Sequence, residues 1–346
     1  MIYAVCGPVS PHSILVTQLV RKLLCQVFGE ITFAPANEAS ELRKLFADTK
    51  KPHALIAFDA PDDLILQFIL RYSVPTILIA ESFATLSSYA RLASSMDFQG
   101  SYRHVSRVNS TLSALAGAPN VVKLKVDDDE RLDGLLGRIG SALDLPLLDE
   151  HLRTVAAEYT AEYATRVTVS SAAAIATDQT RLVRSFVETL PPDERAILTK
   201  FAESYDPLLS GERVALIRWP TDSLVNAENG SRLSRPIDLT GPGRLLTFGP
   251  YLHLPQGRWR ADLTFSTKDN WSGNIFMFDV YSPTADKVLC VGKGDLPISG
   301  AFTTSMEFEV ESASHALELR TFIPTGAIEG VIEIVAITLI AIDQIA

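Results

Sequence analysis

The chain has 346 residues, 47% of them hydrophobic and 21% charged, with a formal net charge of −10 at pH 7. That length suits two hydrophobic cores, the composition excludes wholesale disorder, and the acidic balance excludes a broad grip on nucleic acid or anionic lipid, which needs clustered Lys and Arg. Cys6, Cys25 and Cys290 are spaced for neither a disulfide framework nor a zinc site, and Pro8 and Pro11 break the first apolar stretch before it can read as a leader, so a cytoplasmic protein with free thiols is expected. The run GVIEIVAITLIAIDQIA is bracketed by Glu333 and Asp343. It falls short of the roughly 20 residues that a membrane helix needs and reads as a buried strand, leaving no integral membrane segment.

IYAVC opens the chain as a short strand, and after a turn Ile14, Leu15, Leu19, Val20, Leu23, Leu24, Val27 and Phe28 recur at helical spacing. ITFAP (strand), EASELRKLFADTK (helix) and HALIAFD (strand) follow, then the helix PDDLILQFILRYS, begun by Pro61 and two acids. PTILIAE is a strand, SFATLSSYARLASSM and YRHVSRVNSTLSALAG are helices, and VVKLKVDD is a further strand. Strands separated by helices predict a mostly parallel sheet covered on both faces, over residues 1–147. From LLDEHLRTVAAEYTAEYATRV through SSAAAIATDQ and TRLVRSFVETL to PPDERAILTKFAESY the pattern is helical, which predicts a helical connector over 148–212. Beyond it lie RLLTFG, YLHLP, RWRADLTFST, NIFMFDVYS, KVLCVG, TTSMEFEVES, HALELRTFI and VIEIVAITLIAI, short β-rich runs between Gly, Pro, Asn and Asp. They predict an all-β sandwich of jelly-roll type over 213–346.

The stretch CGPVSPHSILV sets a turn between the first strand and its helix. Phosphate cradles place converging backbone N–H groups at such a helix start, usually with an added Lys or Arg. Here Gly7 is the turn's glycine, and the turn holds no basic residue. Ser10 followed by Pro11 is a good helix start without any ligand. His12 has the right pKa range for a general base and is the one catalytic candidate.

Strand, GPVSPHSIL, apolar helix resembles the opening of the P-loop sulfotransferases, whose 5′-phosphosulfate loop runs Gly-x-Pro-Arg-Ser-Gly-Thr-(Ser/Thr)-Leu-Leu. Pro8, Ser10, Ser13 and Leu15 match that pattern, while Val9 replaces its arginine, Pro11 its glycine and His12 its first threonine. TILIAESFATLSSYARL resembles the family's second signal, with Ser87 or Ser88 at the 3′-phosphate serine, but Ala80, Glu81 and Ser82 stand where Arg-Asp-Pro would be. NVVKLKVDDDERLDGLLGRIGSALDLPL resembles the closing strand and helix. The resemblance implies a donor pocket for 3′-phosphoadenosine-5′-phosphosulfate (PAPS) or adenosine 3′,5′-bisphosphate around Gly7, Ser10, Ser13 and Ser88. Its missing basic residues imply a degenerate site with no cofactor, unless His12, Arg91, Arg103, His104 and Arg107 compensate.

IDLTGPGRLLTFGPYLHLPQGRWRADLTF, with its run of Gly and Pro turns, resembles the first hairpin of carbohydrate-binding-module-like β-sandwiches found beside bacterial polysaccharide assembly. A sugar face needs an aromatic ring edged by amides, carboxylates or Arg. Trp271, set among Asp269, Asn270 and Asn274 in KDNWSGN, is the leading glycan contact, with Tyr251 beside it in the candidate set and Tyr281 undecided. Trp259, alternating with Arg258 and Arg260, reads as core, Lys293 in VGKGD as part of a turn, and Asp127–Asp129 as a solvated face with no metal. The expectation is a non-enzymatic accessory protein of bacterial polysaccharide assembly that binds a glycan or an assembly protein. An active carbohydrate sulfotransferase and a self-associating scaffold subunit are the alternatives.

Overall fold

A computed structural model describes residues 1–47, 51–159, 167–177, 184–211 and 214–343. The chain divides into two compact units, Met1–Pro191 with Leu208–Glu212, and Pro192–Pro207 with Arg213–Ala346.

The first unit runs β1 (Ile2–Cys6), α1 (Pro11–Phe28), β2 (Thr32–Pro35), α2 (Ala39–Ala47), β3 (Ala54–Phe58), α3 (Asp63–Arg71), β4 (Thr76–Ile79), α4 (Phe83–Ser94), α5 (Phe98–Leu112), β5 (Val121–Leu124), α6 (Leu132–Ala142), α7 (Asp149–Ala157), α8 (Val169–Thr177) and α9 (Arg184–Thr189). Its five strands pair in parallel in the order β2-β3-β1-β4-β5. Alternation along β1 divides the core between the two faces. Tyr3 and Val5 pack with Leu15, Leu19 and Leu23 of α1 and Leu135, Leu136 and Ile139 of α6. Ala4 and Cys6 pack with Ile65 and Ile69 of α3 and Val108 and Leu112 of α5. After β1 the chain leaves for one edge of the sheet, and after β4 for the other. The carboxyl ends of these neighbouring strands therefore form the crevice where open α/β sheets place their ligands.

The stretch read as a connector is shared out. Val155 of α7 and Val169, Ala172 and Ala173 of α8 join the core on the α1 side, while α10 (Pro192–Tyr205) belongs to the second unit. The helical readings at 160–166 and 178–183 lie outside the described residues.

The second unit continues with β6 (Leu216–Trp219), β7 (Val225–Asn226), β8 (Ile237–Asp238), β9 (Arg244–Phe248), β10 (Pro250–Leu252), β11 (Gly257–Lys268), β12 (Ile275–Ser282), β13 (Lys287–Asp295), β14 (Gly300–Val310), β15 (Leu317–Ile323) and β16 (Val331–Asp343). One antiparallel sheet has the order β13-β12-β15-β9-β7 with β10 added on β15, and the other β14-β11-β16-β6 with β8 added on β16. Trp259, Ala261, Leu263 and Phe265 of β11 and Phe276, Phe278 and Val280 of β12 are buried. The rings of Phe265 and Phe276 meet edge to face at 4.6 Å. Trp259 is core, as its alternation predicts, and its indole N–H donates to the Pro255 carbonyl at 2.9 Å. The three short strands β6, β7 and β8 carry too few residues to show a period and were not legible in the sequence. VIEIVAITLIAI is a strand, β16, and among the described residues no helix is long and apolar enough to cross a membrane.

Candidate functional site

Gly7 follows β1 at the crevice, and its lack of a side chain is required. A Cβ there would lie 2.8 Å from the Cβ and 3.1 Å from the carbonyl oxygen of Ile79, at the end of β4. Gly7→Ala is expected to cost about 1–3 kcal/mol through this overpacking, visible as a lower melting temperature in far-ultraviolet circular dichroism.

Beyond Gly7 the start of α1 satisfies itself. The buried Ser10 accepts the N–H of Ser13 at 2.9 Å, the Ser13 hydroxyl accepts the N–H of Ser10 at 2.8 Å, and Ile14 N–H bonds to the Ser10 carbonyl at 3.0 Å. This is a reciprocal capping box. The Ser10 hydroxyl donates to the carboxylate of Glu81, which follows β4. His12 stands one residue into the helix, with Nε2 at 2.9 Å from Asp128 Oδ1 and Nδ1 at 3.5 Å from Glu81 Oε2. Burial alone would pull the His12 pKa down. The hydrogen bond and charge of Glu81, reinforced by Asp128, outweigh it, and the pKa is raised. A carboxylate stands at each His12 ring nitrogen, so neither nitrogen faces a substrate as a free base.

A phosphosulfate donor does not fit these residues. The Ser10, Ser13 and Ile14 N–H groups are spent in the cap, Pro8 and Pro11 have none, and two carboxylates stand where the loop would meet an anion. Ser88 is buried in α4, its hydroxyl donating to the Ala84 carbonyl at 2.8 Å. The Ser87 hydroxyl is also buried and has no hydrogen-bond partner. Of the five proposed compensating side chains, His12 is taken up by Glu81 and Asp128. Arg91 lies over the ring of Phe98 at 5.6 Å, Arg103 donates to Gln99, and burial lowers the pKa of His104, with Asp59 opposing and Arg107 adding to the fall. Asp127–Asp129 is only in part the solvated face expected, because Asp128 turns inward to His12. Among the described residues no cluster of three or more His, Cys, Asp or Glu is placed to hold a metal ion. Gly7 and Ser13 also line a mostly apolar cleft of about 430 Å³ that reaches Phe33, with Arg21 over that ring at 5.0 Å.

In the second unit Trp271 is 68% exposed, as its polar turn predicts. Its neighbours Asn270 and Asn274 are corrected, because both are buried braces. The Asn270 amide donates to the carbonyls of Leu296 and Pro297, and that of Asn274 donates to the Asn270 side-chain oxygen at 2.6 Å. A turn lifted off the sheet end leaves backbone groups that need such partners. Asp269 is exposed with φ +56°, and its N–H is bonded to the Ser299 hydroxyl. Gly292 of VGKGD lies under Phe278, whose Cζ would be 2.3 Å from an added Cβ, so that glycine serves core packing.

A larger polar-aromatic array lies on the outer face of the β13-β12-β15-β9 sheet, opposite the parity of Phe276, Phe278 and Val280. Register places Lys293, Met277, Phe322 and Leu245 in one row, Val291, Asp279 and Arg320 in the next, and Val288, Tyr281, Glu318 and Pro250 in a third. Arg320 donates through Nε and Nη2 to the two oxygens of buried Asp279, at 2.8 and 2.7 Å. Its guanidinium lies 4.2 Å from the ring centroid of Tyr281 and 5.7 Å from that of Phe322. Tyr251, with φ +65° after the cis Gly249–Pro250 bond, donates its hydroxyl to Glu318 at 2.9 Å, and the Tyr281 hydroxyl donates to Asp286 at 2.7 Å. The array includes Tyr251 from the sequence candidates, and Tyr281 with it. Arg320, Asp279, Glu318 and Phe322 were missed, because only cross-strand register brings them together.

No family model matches the chain, and no curated protein does. Among solved structures, mouse sulfotransferase SULT7A1 complexed with PAP is similar at 10% identity and a TM-score of 0.33, over 56% of this chain and 80% of that one. The xylan-binding module CBM15 is similar at 10% identity and a TM-score of 0.28, over 38% of this chain and 98% of that one. A carbohydrate-binding module of Cellvibrio mixtus lichenase 5A, in complex with cellotriose, is similar at 12% identity and a TM-score of 0.23, over 36% and 100%. Likenesses at this level transfer no ligand and no activity to this chain.

Proposed function

We propose that this protein is a non-catalytic glycan-binding accessory whose contact surface is the outer face of the β13-β12-β15-β9 sheet. The observation that carries this reading is Arg320, laid between the rings of Tyr281 and Phe322 and held flat by buried Asp279. Sugar rings present apolar C–H faces to aromatic rings and hydroxyls to planar polar groups, and this face offers both on a rigid sheet. Half-exposed Tyr281 and Phe322, with Val288 and Val291 more than two-fifths exposed beside them, form an apolar patch that folding has not covered. In the first unit the internal His12, Glu81 and Asp128 cluster argues against a transferase, because it spends the groups that a donor would need. The setting that goes with this reading is polysaccharide assembly in the bacterial cytoplasm, with an assembly protein as a further partner.

The test is retention in gels containing soluble polysaccharides. Tyr281→Ala is expected to lose retention at least tenfold with an unchanged melting temperature, while Trp271→Ala keeps most of it. If Trp271→Ala alone abolishes retention, the site is the KDNWSGN turn and the sheet-face assignment fails.

A further inference from the structure

We propose that a cleft in the first unit, between α2 and α3, binds a single-chain anionic amphiphile of the fatty-carboxylate class. Leu42 of α2 and Ile65, Leu66 and Ile69 of α3 pack into one core on the same side of the sheet. Because β2 and β3 are parallel neighbours, the helices that follow them run side by side. Between them lies a mostly apolar cleft of about 600 Å³. Phe46 and Phe68 line it half-buried, and Leu64 and Tyr72, both more than half exposed, leave its mouth apolar. Folding has left this apolar surface uncovered.

Charge decides what fits there. Arg43, midway along α2, and Arg71, in the last turn of α3, both line the cleft. Among the described residues neither guanidinium has an ion-pair or hydrogen-bond partner, and that of Arg71 lies 5.8 Å from the ring of Tyr72. The end of α3 offers Arg71 about half a negative charge, and Arg43, in mid-helix, lacks even that. The acids of the two helices, Glu41 and Asp63, stand in the first turns, and Asp62 caps α3. The cleft is therefore negative toward the helix starts and positive farther along. A fatty carboxylate matches this order: its head takes the planar fork of a guanidinium, while its chain loses water against Phe46, Phe68 and Leu64. The volume falls within the range of about 300–1,000 Å³ for small-molecule sites. The walls, each nine residues and so roughly 13 Å long, are short for the roughly 800 Å² that each side of a standard protein interface buries. A second copy meeting the cleft about a two-fold axis would set these arginines against their own counterparts.

The experiment is calorimetric titration of the full chain with decanoate, decan-1-ol and hexanoate, below micelle-forming concentrations, at low and high salt. Wild type is compared with Leu64→Ser and with the double variant Arg43→Gln, Arg71→Gln, whose substituted side chains are exposed, and circular dichroism checks that melting is unchanged. Decanoate is expected to bind saturably at one per chain, more weakly at high salt, and at least about tenfold more tightly than decan-1-ol or hexanoate. The double variant should lose at least about tenfold in decanoate affinity, and Leu64→Ser should weaken it as well. Decan-1-ol binding as tightly as decanoate, an unaffected double variant, or no saturable binding would each overturn the proposal. So would a concentration-dependent rise in mass in light scattering that Leu64→Ser abolishes, which would make the cleft a contact between copies. Pelleting with phosphatidylglycerol vesicles, without decanoate binding, would overturn it in favour of a membrane contact. None of these outcomes bears on polysaccharide retention, which Tyr281→Ala tests separately.

Discussion

Replacing Arg320 by methionine is expected to destabilise the second unit by about 3–5 kcal/mol at pH 7, the cost of stranding a buried partner of an ion pair. Asp279 is 5% exposed and accepts both guanidinium bonds. Without Arg320 its charge has neither water nor a cation. Asp279→Ala should cost less, because the Arg320 side chain is 24% exposed and can turn its charge to water. All three tryptophans, Trp219, Trp259 and Trp271, lie in the second unit, so tryptophan fluorescence in urea follows this unit alone. Equal costs for the two single variants would count against a stranded carboxylate.

The same pair shows where sequence reading stops. The strands of the sandwich were legible because alternation such as RWRADLTF records one buried and one exposed face, and β9 to β16 each fall on a β-rich run read from the sequence. The outer-face array was not. Asp279 and Arg320 are 41 residues apart, and nothing local to NIFMFDVYS or HALELRTFI says that β12 and β15 are neighbours, or in which register. Trp271 was readable for the opposite reason, since a tryptophan in a polar turn is conspicuous without any partner. Asn270 and Asn274, in that same turn, were misread as ligand groups because a buried amide that braces a loop has the same local sequence as an exposed one that meets a sugar. In the first unit the capping role of Ser10 and Pro11 followed from the residues alone. That Glu81 and Asp128 close on His12 follows only from the strand order, which brings the ends of β1, β4 and β5 together.

That closure gives the first unit a pH dependence of its own. The His12 pKa is raised, with burial opposing and Glu81 and Asp128 together prevailing. The stability it contributes is fully present below the unfolded histidine pKa of about 6.5 and is lost as pH rises through the raised folded value. His12→Gln removes the cation and leaves Glu81 facing Asp128. At pH 6 it should cost about 3 kcal/mol, read from helical circular dichroism during thermal unfolding, and the gap to wild type should narrow toward alkaline pH. Glu81→Gln tests the cause. Without the first of the two carboxylates, burial weighs more heavily on His12, its pKa should fall, and the stability lost with rising pH should go at lower pH than in wild type. A wild-type curve that stays parallel to that of His12→Gln across this range would mean that the His12 pKa is not raised in the folded chain. His12 would then be open to act as a base, and the first unit would become a candidate for catalysis again.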